Sequence, residues 1–101
     1  MDATGRRDPA ARWHIGPHVL MRVWNGEVVA YNDVTGHTHH FMDLAAWAFE
    51  HLSSRSMGEA DLMAAAATEL ELEPGSDLAT SMRNALALFQ RLSLLEDAPA
   101  G

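Results

Sequence analysis

Six histidines draw attention first, because imidazole both ligates metals and moves protons near neutral pH. His37 and His39 lie two apart in a segment of strand-like composition, so they share one face while His40 points to the other. Two imidazoles on one face supply two corners of a metal site. A zinc site needs a third ligand, and in a chain without cysteine it must be another histidine or a carboxylate. His14 and His18 are the candidates, yet nothing in their spacing requires them to approach. The expectation is therefore no metal and no cofactor, with the histidines on a surface or in a groove.

Nucleophilic catalysis has less support. Ser, His and Asp all occur, but without a G-x-S-x-G elbow or a glycine-rich phosphate cradle. Glu69, Glu71 and Glu73 form an acidic run at the end of an expected helix. Catalytic carboxylates need fixed facing geometry, which a solvated helix end does not provide. No catalytic residue is assigned, and an enzyme is not expected. The absence of cysteine also removes disulfides and thiolate chemistry.

Charge narrows the partners. Seven arginines and no lysine face fourteen acidic residues, a balance of −7. Nucleic-acid binders neutralise phosphates with clustered cations, and this chain would approach a polyanion against its own field. A length of 101 residues suits one small domain. A 48% hydrophobic and 21% charged composition argues against global disorder. No apolar run approaches the ~20 residues a bilayer span needs. The opening MDATGRRDPAARW lacks the apolar core of a secretory signal, so a cytoplasmic location is expected.

The elements that must position any site follow from periodicity. Residues 1–12 read as a flexible N-terminal segment and 13–18 as an irregular approach. Val19 to Trp24 and Glu27 to Asn32 are β-rich and separated by Asn25-Gly26, the dipeptide best suited to a type I′ turn. Asp33 to Gly36 reads as a second turn, and His37 to Phe41 as a third strand. The pattern then turns helical. Leu44, Ala45, Ala48, Phe49 and Leu52 form one stripe ending at Ser53-Ser54-Arg55. Ser56 with Glu59 matches a capping box for a second helix running to about Leu70. Pro74 to Asp77 is a stop and restart, and a third helix runs to about Leu92 with Leu78, Met82, Ala85, Phe89 and Leu92 inward. A short extended end over 93–96 and a tail over 97–101 complete the chain. The fold class is α+β, winged-helix-like: a three-stranded antiparallel meander followed by three helices.

Trp24 and Tyr31 sit in the hairpin and can pack across it. Phe49 and Phe89 belong to core stripes. Trp47 falls opposite its helix's stripe, so it either marks an interface or folds back onto the N-terminal segment or Trp13. Leu86 and Leu88 flank the third helix's stripe on opposite sides, more apolar width than one contact needs. The third strand has a free edge with no Pro, Lys or inward acid to protect it. An extended peptide could add there as a fourth strand, with side chains dropping beside the helix. The N-terminal segment, or a second copy in a homodimer, could instead cover that edge. In 77–93, Asp77 against Arg83 and Arg91 gives +1 in a chain of −7, which leaves −8 for the remainder. The groove should therefore prefer a peptide with acidic residues, since ion pairs steer and orient partners.

Trp13, the run Leu20 to Asn32 with its W-x-G-E-V-V-x-Y-N hairpin, Thr35-Gly36-His37-Thr38-His39 and Leu44-Ala45-Ala46 occur in order. Over residues 13–96 the chain resembles the PqqD-like peptide chaperones, or RiPP recognition elements, in particular the subgroup associated with HPr-kinase-related proteins. The resemblance implies a domain over 13–96 that binds the leader segment of a ribosomally made precursor peptide by strand addition. The domain would then present it to a peptide-modifying enzyme, HPr-kinase-related in that subgroup. Carried over by position, the strand contacts are His37, Thr38, His39, His40 and Phe41, and the helix contacts are Arg83, Asn84, Ala87, Leu88 and Arg91. His40 stands where an aliphatic residue is usual, and Met42-Asp43 replaces the usual Asp-Pro. The rivals are a winged-helix DNA-binding protein, short of cations, and a structural homodimer using the same edge.

Overall fold

The computed structural model describes residues 11–73 and 75–98. Its strands and helices follow the α+β plan, antiparallel strands and then three helices. Strands β1 (Arg12–Ile15), β2 (Val19–Trp24), β3 (Glu27–Asn32) and β4 (His37–Phe41) come first. Helix α1 (Asp43–Ser54), strand β5 (Met57–Gly58), helices α2 (Glu59–Glu69) and α3 (Ser76–Arg91), and strand β6 (Leu95–Ala98) complete the order.

β2, β3 and β4 form the expected meander with β3 in the centre. Asn25 and Gly26 both take positive φ, 53° and 75°, as a type I′ turn requires. The register Val19↔Asn32 through Trp24↔Glu27 fixes one face. Val28, Ala30 and Asn32 are buried there, while Val29 and Tyr31 face out. Trp24 and Tyr31 share the outer face, but they belong to rungs at opposite ends of the hairpin, Trp24↔Glu27 and Leu20↔Tyr31. They do not pack across it as expected, and Trp24 remains 76% exposed.

A second small sheet, order β5-β1-β6, differs from the reading of 13–18 as irregular and 97–101 as tail. Arg12 to Ile15 pair antiparallel with Ala98 to Leu95, and Trp13 also opposes Met57. Strands of two to four residues carry almost no alternation to read. Their partners lie far along the chain, so local composition does not announce the pairing. The rest of the expected flexible segment, residues 1–10, lies outside the described residues, as do Pro74 and the end of the tail.

This sheet also moves the start of α2. The expected cap was Ser56 with Glu59 at the third helical position. Met57 and Gly58 are instead extended against β1, so the helix begins two residues later. Gly58 N–H donates to Asp61 Oδ2 at 3.1 Å, and Arg12 donates to the same carboxylate and to the Ser56 carbonyl, each at 2.8 Å. A Cβ on Gly58 would lie 2.8 Å from the Ala11 carbonyl oxygen. Gly58→Ala is therefore expected to destabilise by about 1–3 kcal/mol, the range for overpacking, read as a lowered midpoint in urea.

The core sits between the meander and the helices. Phe41 of β4, Phe49 of α1 and Phe89 of α3 form a triangle with ring centroids 5.0–5.3 Å apart. All three are buried, as expected for Phe49 and Phe89. Buried Asn32 pins the other end of the sheet. Its Oδ1 accepts from the N–H groups of Val34 and Thr35 at 3.0 and 3.3 Å, and its Nδ2 donates to the Ser93 carbonyl at 3.5 Å. No helix among the described residues is long and apolar enough to cross a membrane.

Candidate functional site

β4 is hydrogen-bonded to β3 along one edge, from Val28↔Phe41 to Asn32↔His37. No described strand pairs with its other edge, because β1 pairs with β5 and β6 instead. In an antiparallel strand, alternate residues direct N–H and C=O to each side. The outer edge of β4 therefore presents an open ladder of donors and acceptors.

The side chains of β4 divide between two faces, as their two-residue period demands. Phe41, His39 and His37 line the inner face, opposite Val28, Ala30 and Asn32. They grade from buried through half-buried to exposed. Their rings follow one another, His39 stacked on Phe41 at 6.4 Å and edge-on to His37 at 6.3 Å. Through Phe41 this row continues onto Phe89 of α3. The inner face thus runs from solvent down to the core along aromatic surface. Thr38 and His40 project from the outer face, where His40 Nε2 lies 2.7 Å from Glu27 Oε1.

α3 contributes residues on more than one side. Asn84, Leu88 and Arg91, at spacings of four and three, form one stripe. Leu88 is half-buried against the core, and Asn84 and Arg91 are exposed. Arg83 turns the other way. Its Nε donates to Glu59 Oε2 of α2 at 3.1 Å, so this cation is already engaged within the fold. Ala87 is exposed between the two. Of the flanking leucines, Leu86 is fully buried, so the open flank belongs to Leu88.

The remaining histidines are held elsewhere. His14 Nε2 and His18 Nδ1 lie 3.4 and 4.0 Å from Glu96, and His18 Nε2 lies 3.1 Å from the Ser93 carbonyl. His51 Nε2 lies 3.1 Å from Glu69 Oε1. Among the described residues no three His, Asp or Glu side chains converge as a ligand set.

Sequence reasoning missed a third surface, the outer face of the meander. Leu20, Met21, Arg22, Val29, Tyr31 and Thr38 line a depression of about 650 Å³ there. The signal was present in the alternation of β2, where Leu20, Arg22 and Trp24 share a side, but both faces of that strand are apolar.

No protein-family model matches the sequence, and no curated protein matches it. The fold does have a solved counterpart: TbiB1 in complex with the TbiA(beta) leader peptide. It superposes with a TM-score of 0.72 at 18% identity, covering 82% of this chain and 94% of that one. The two chains share an architecture.

Proposed function

We propose that this protein is a non-catalytic peptide-binding module of the PqqD-like type. It takes up the leader segment of a ribosomally made precursor as an added strand on β4 and presents the remainder to a modifying enzyme. The observation that carries this reading is the open outer edge of β4, a strand whose Phe41 packs on Phe89 of α3. The architecture it shares with a protein solved together with a leader peptide supports the same reading.

In the proposed complex, main-chain pairing with residues 37–41 provides most of the affinity. An apolar leader side chain lies over His39 and Phe41 against Leu88, and a leader carboxylate pairs with Arg91. Arg83 takes part only by exchanging Glu59 for the guest. The DNA-binding alternative is weakened by that same ion pair, since it neutralises one of the two arginines on α3.

The test is titration of labelled leader peptides encoded beside this gene, followed by anisotropy, alone and with the neighbouring modifying enzyme present. Saturable binding by one of them is expected. Failure of every candidate in both settings would remove the proposal. Leu88→Asp should abolish binding, but Leu88 packs on the core, so its thermal midpoint must be read alongside. Arg91→Glu touches only the exposed stripe. It should weaken binding of an acidic leader roughly tenfold at low salt, while the melting temperature falls by only a few degrees because an acid replaces the base in the last turn of α3.

A further inference from the structure

A second apolar surface lies away from β4. Asp43, Leu44, Trp47 and Glu50 of α1 meet Leu70 and Leu72, which follow α2, around a pocket of about 400 Å³. The volume falls in the range that accepts a large side chain or a small ligand. Trp47 was expected either at an interface or folded back onto the N-terminal region. Its indole N–H donates to Glu69 Oε1 at 3.3 Å, its ring centroid lies 4.1 Å from that of His51, and the residue lines the pocket. Leu70 and Leu72 remain 38% and 41% exposed.

Two features give this pocket a direction. Glu71, between the two leucines, holds φ at 53°, and Asp43 holds φ at 57°. Left-handed backbone at a non-glycine residue costs about 1–2 kcal/mol, and such positions concentrate at functional surfaces. Both strained residues are acidic. Asp43 and Glu50 stand in the pocket wall, Glu71 lies between its two leucines in the chain, and Glu69 accepts from the Trp47 indole and lies 3.1 Å from His51 Nε2. Among the described residues no arginine lines it, and the sequence of 69–77 contains four acids and no cation.

We propose that this pocket docks a basic segment of a second protein, one that inserts a Phe- or Leu-sized anchor flanked by Lys or Arg. The apolar wall supplies burial for the anchor, and the carboxylate rim selects cationic neighbours and rejects acidic ones. A second copy of this chain, itself at −7, is a poor occupant for an acidic rim. The pocket shares no lining residue with β4 or α3, so the inference stands apart from the proposed leader site.

The experiment titrates the full chain, observed by the tryptophan indole N–H resonances, with a short synthetic peptide carrying a central phenylalanine between lysines. Saturable movement of the Trp47 resonance is expected, with the amides of residues 37–41 undisturbed. The same peptide with glutamates for lysines, or alanine for the anchor, should leave Trp47 unmoved. Asp43→Asn combined with Glu71→Gly removes two carboxylates and installs residues that tolerate left-handed backbone, so the melting temperature should not fall. This double variant should bind roughly tenfold more weakly at low salt, with the difference vanishing at high salt. Equal response to the acidic peptide, or an affinity unchanged in the double variant, would overturn the proposal. So would Trp47 shifts that track protein concentration without peptide, which would make a second copy the occupant.

Discussion

A bound leader peptide whose backbone is N-methylated one residue at a time is expected to lose affinity in a period of two. In an added strand, every second guest residue turns its N–H toward β4, and the intervening ones face solvent. A methyl on an inward nitrogen removes one hydrogen bond and pushes the chains apart. The lost bond alone is worth about 1–1.5 kcal/mol, close to a tenfold change, and the steric term adds to it. Methyl groups on the outward nitrogens should change affinity by less than about twofold. The sensitive stretch should span no more than the five residues of β4. A peptide held only by side chains in a groove gives no alternation, and a flat methylation profile would rule out strand addition even if binding were tight.

The same profile separates the leader reading from a homodimer built on β4. Two copies pairing edge to edge would hide the ladder from the guest, and peptide affinity would then fall as protein concentration rises. The aromatic row His37–His39–Phe41 argues for a guest with side chains of its own, because it continues from the edge to Phe89 of α3. A pairing through backbone alone has no use for such a ramp.

The meander and its open edge were legible because their signals are local. Asn25-Gly26 dictates the turn, alternation dictates the faces, and the bounds of β2, β3 and β4 follow residue for residue. The helices were legible from their stripes. The second sheet was not, because its pairs join residues more than forty positions apart through strands too short for any period. That omission displaced the start of α2 and hid the role of Gly58. At the candidate site, the division of His37, His39 and Phe41 from Thr38 and His40 follows from strand geometry alone. The engagement of Arg83 does not. It depends on Glu59 of another helix, and helix–helix placement is a tertiary fact. The same holds for the pocket beside Trp47, since its walls come from segments about twenty residues apart.

Phe41→Ala is expected to have the largest effect on stability of any substitution in β4. Its ring is the sheet's member of the Phe41–Phe49–Phe89 triangle, packed 5.3 and 5.0 Å from the other two rings. Truncating a buried phenylalanine costs about 3–5 kcal/mol, against a total of about 5–15 kcal/mol for a small domain. The midpoint of urea unfolding should fall by at least about a fifth, and by roughly 40% at the middle of both ranges, while its slope is unchanged. His39 loses the ring it stacks on, so the variant should also bind leader weakly even at temperatures where it is folded. Phe41→Leu separates the two effects. It keeps much of the buried volume and should recover most of the stability, but it cannot restore the stacked ramp. Leader affinity that returns in full with Phe41→Leu would mean that β4 contributes its backbone alone. Affinity that stays low would assign the inner face of this strand a direct part in holding the guest.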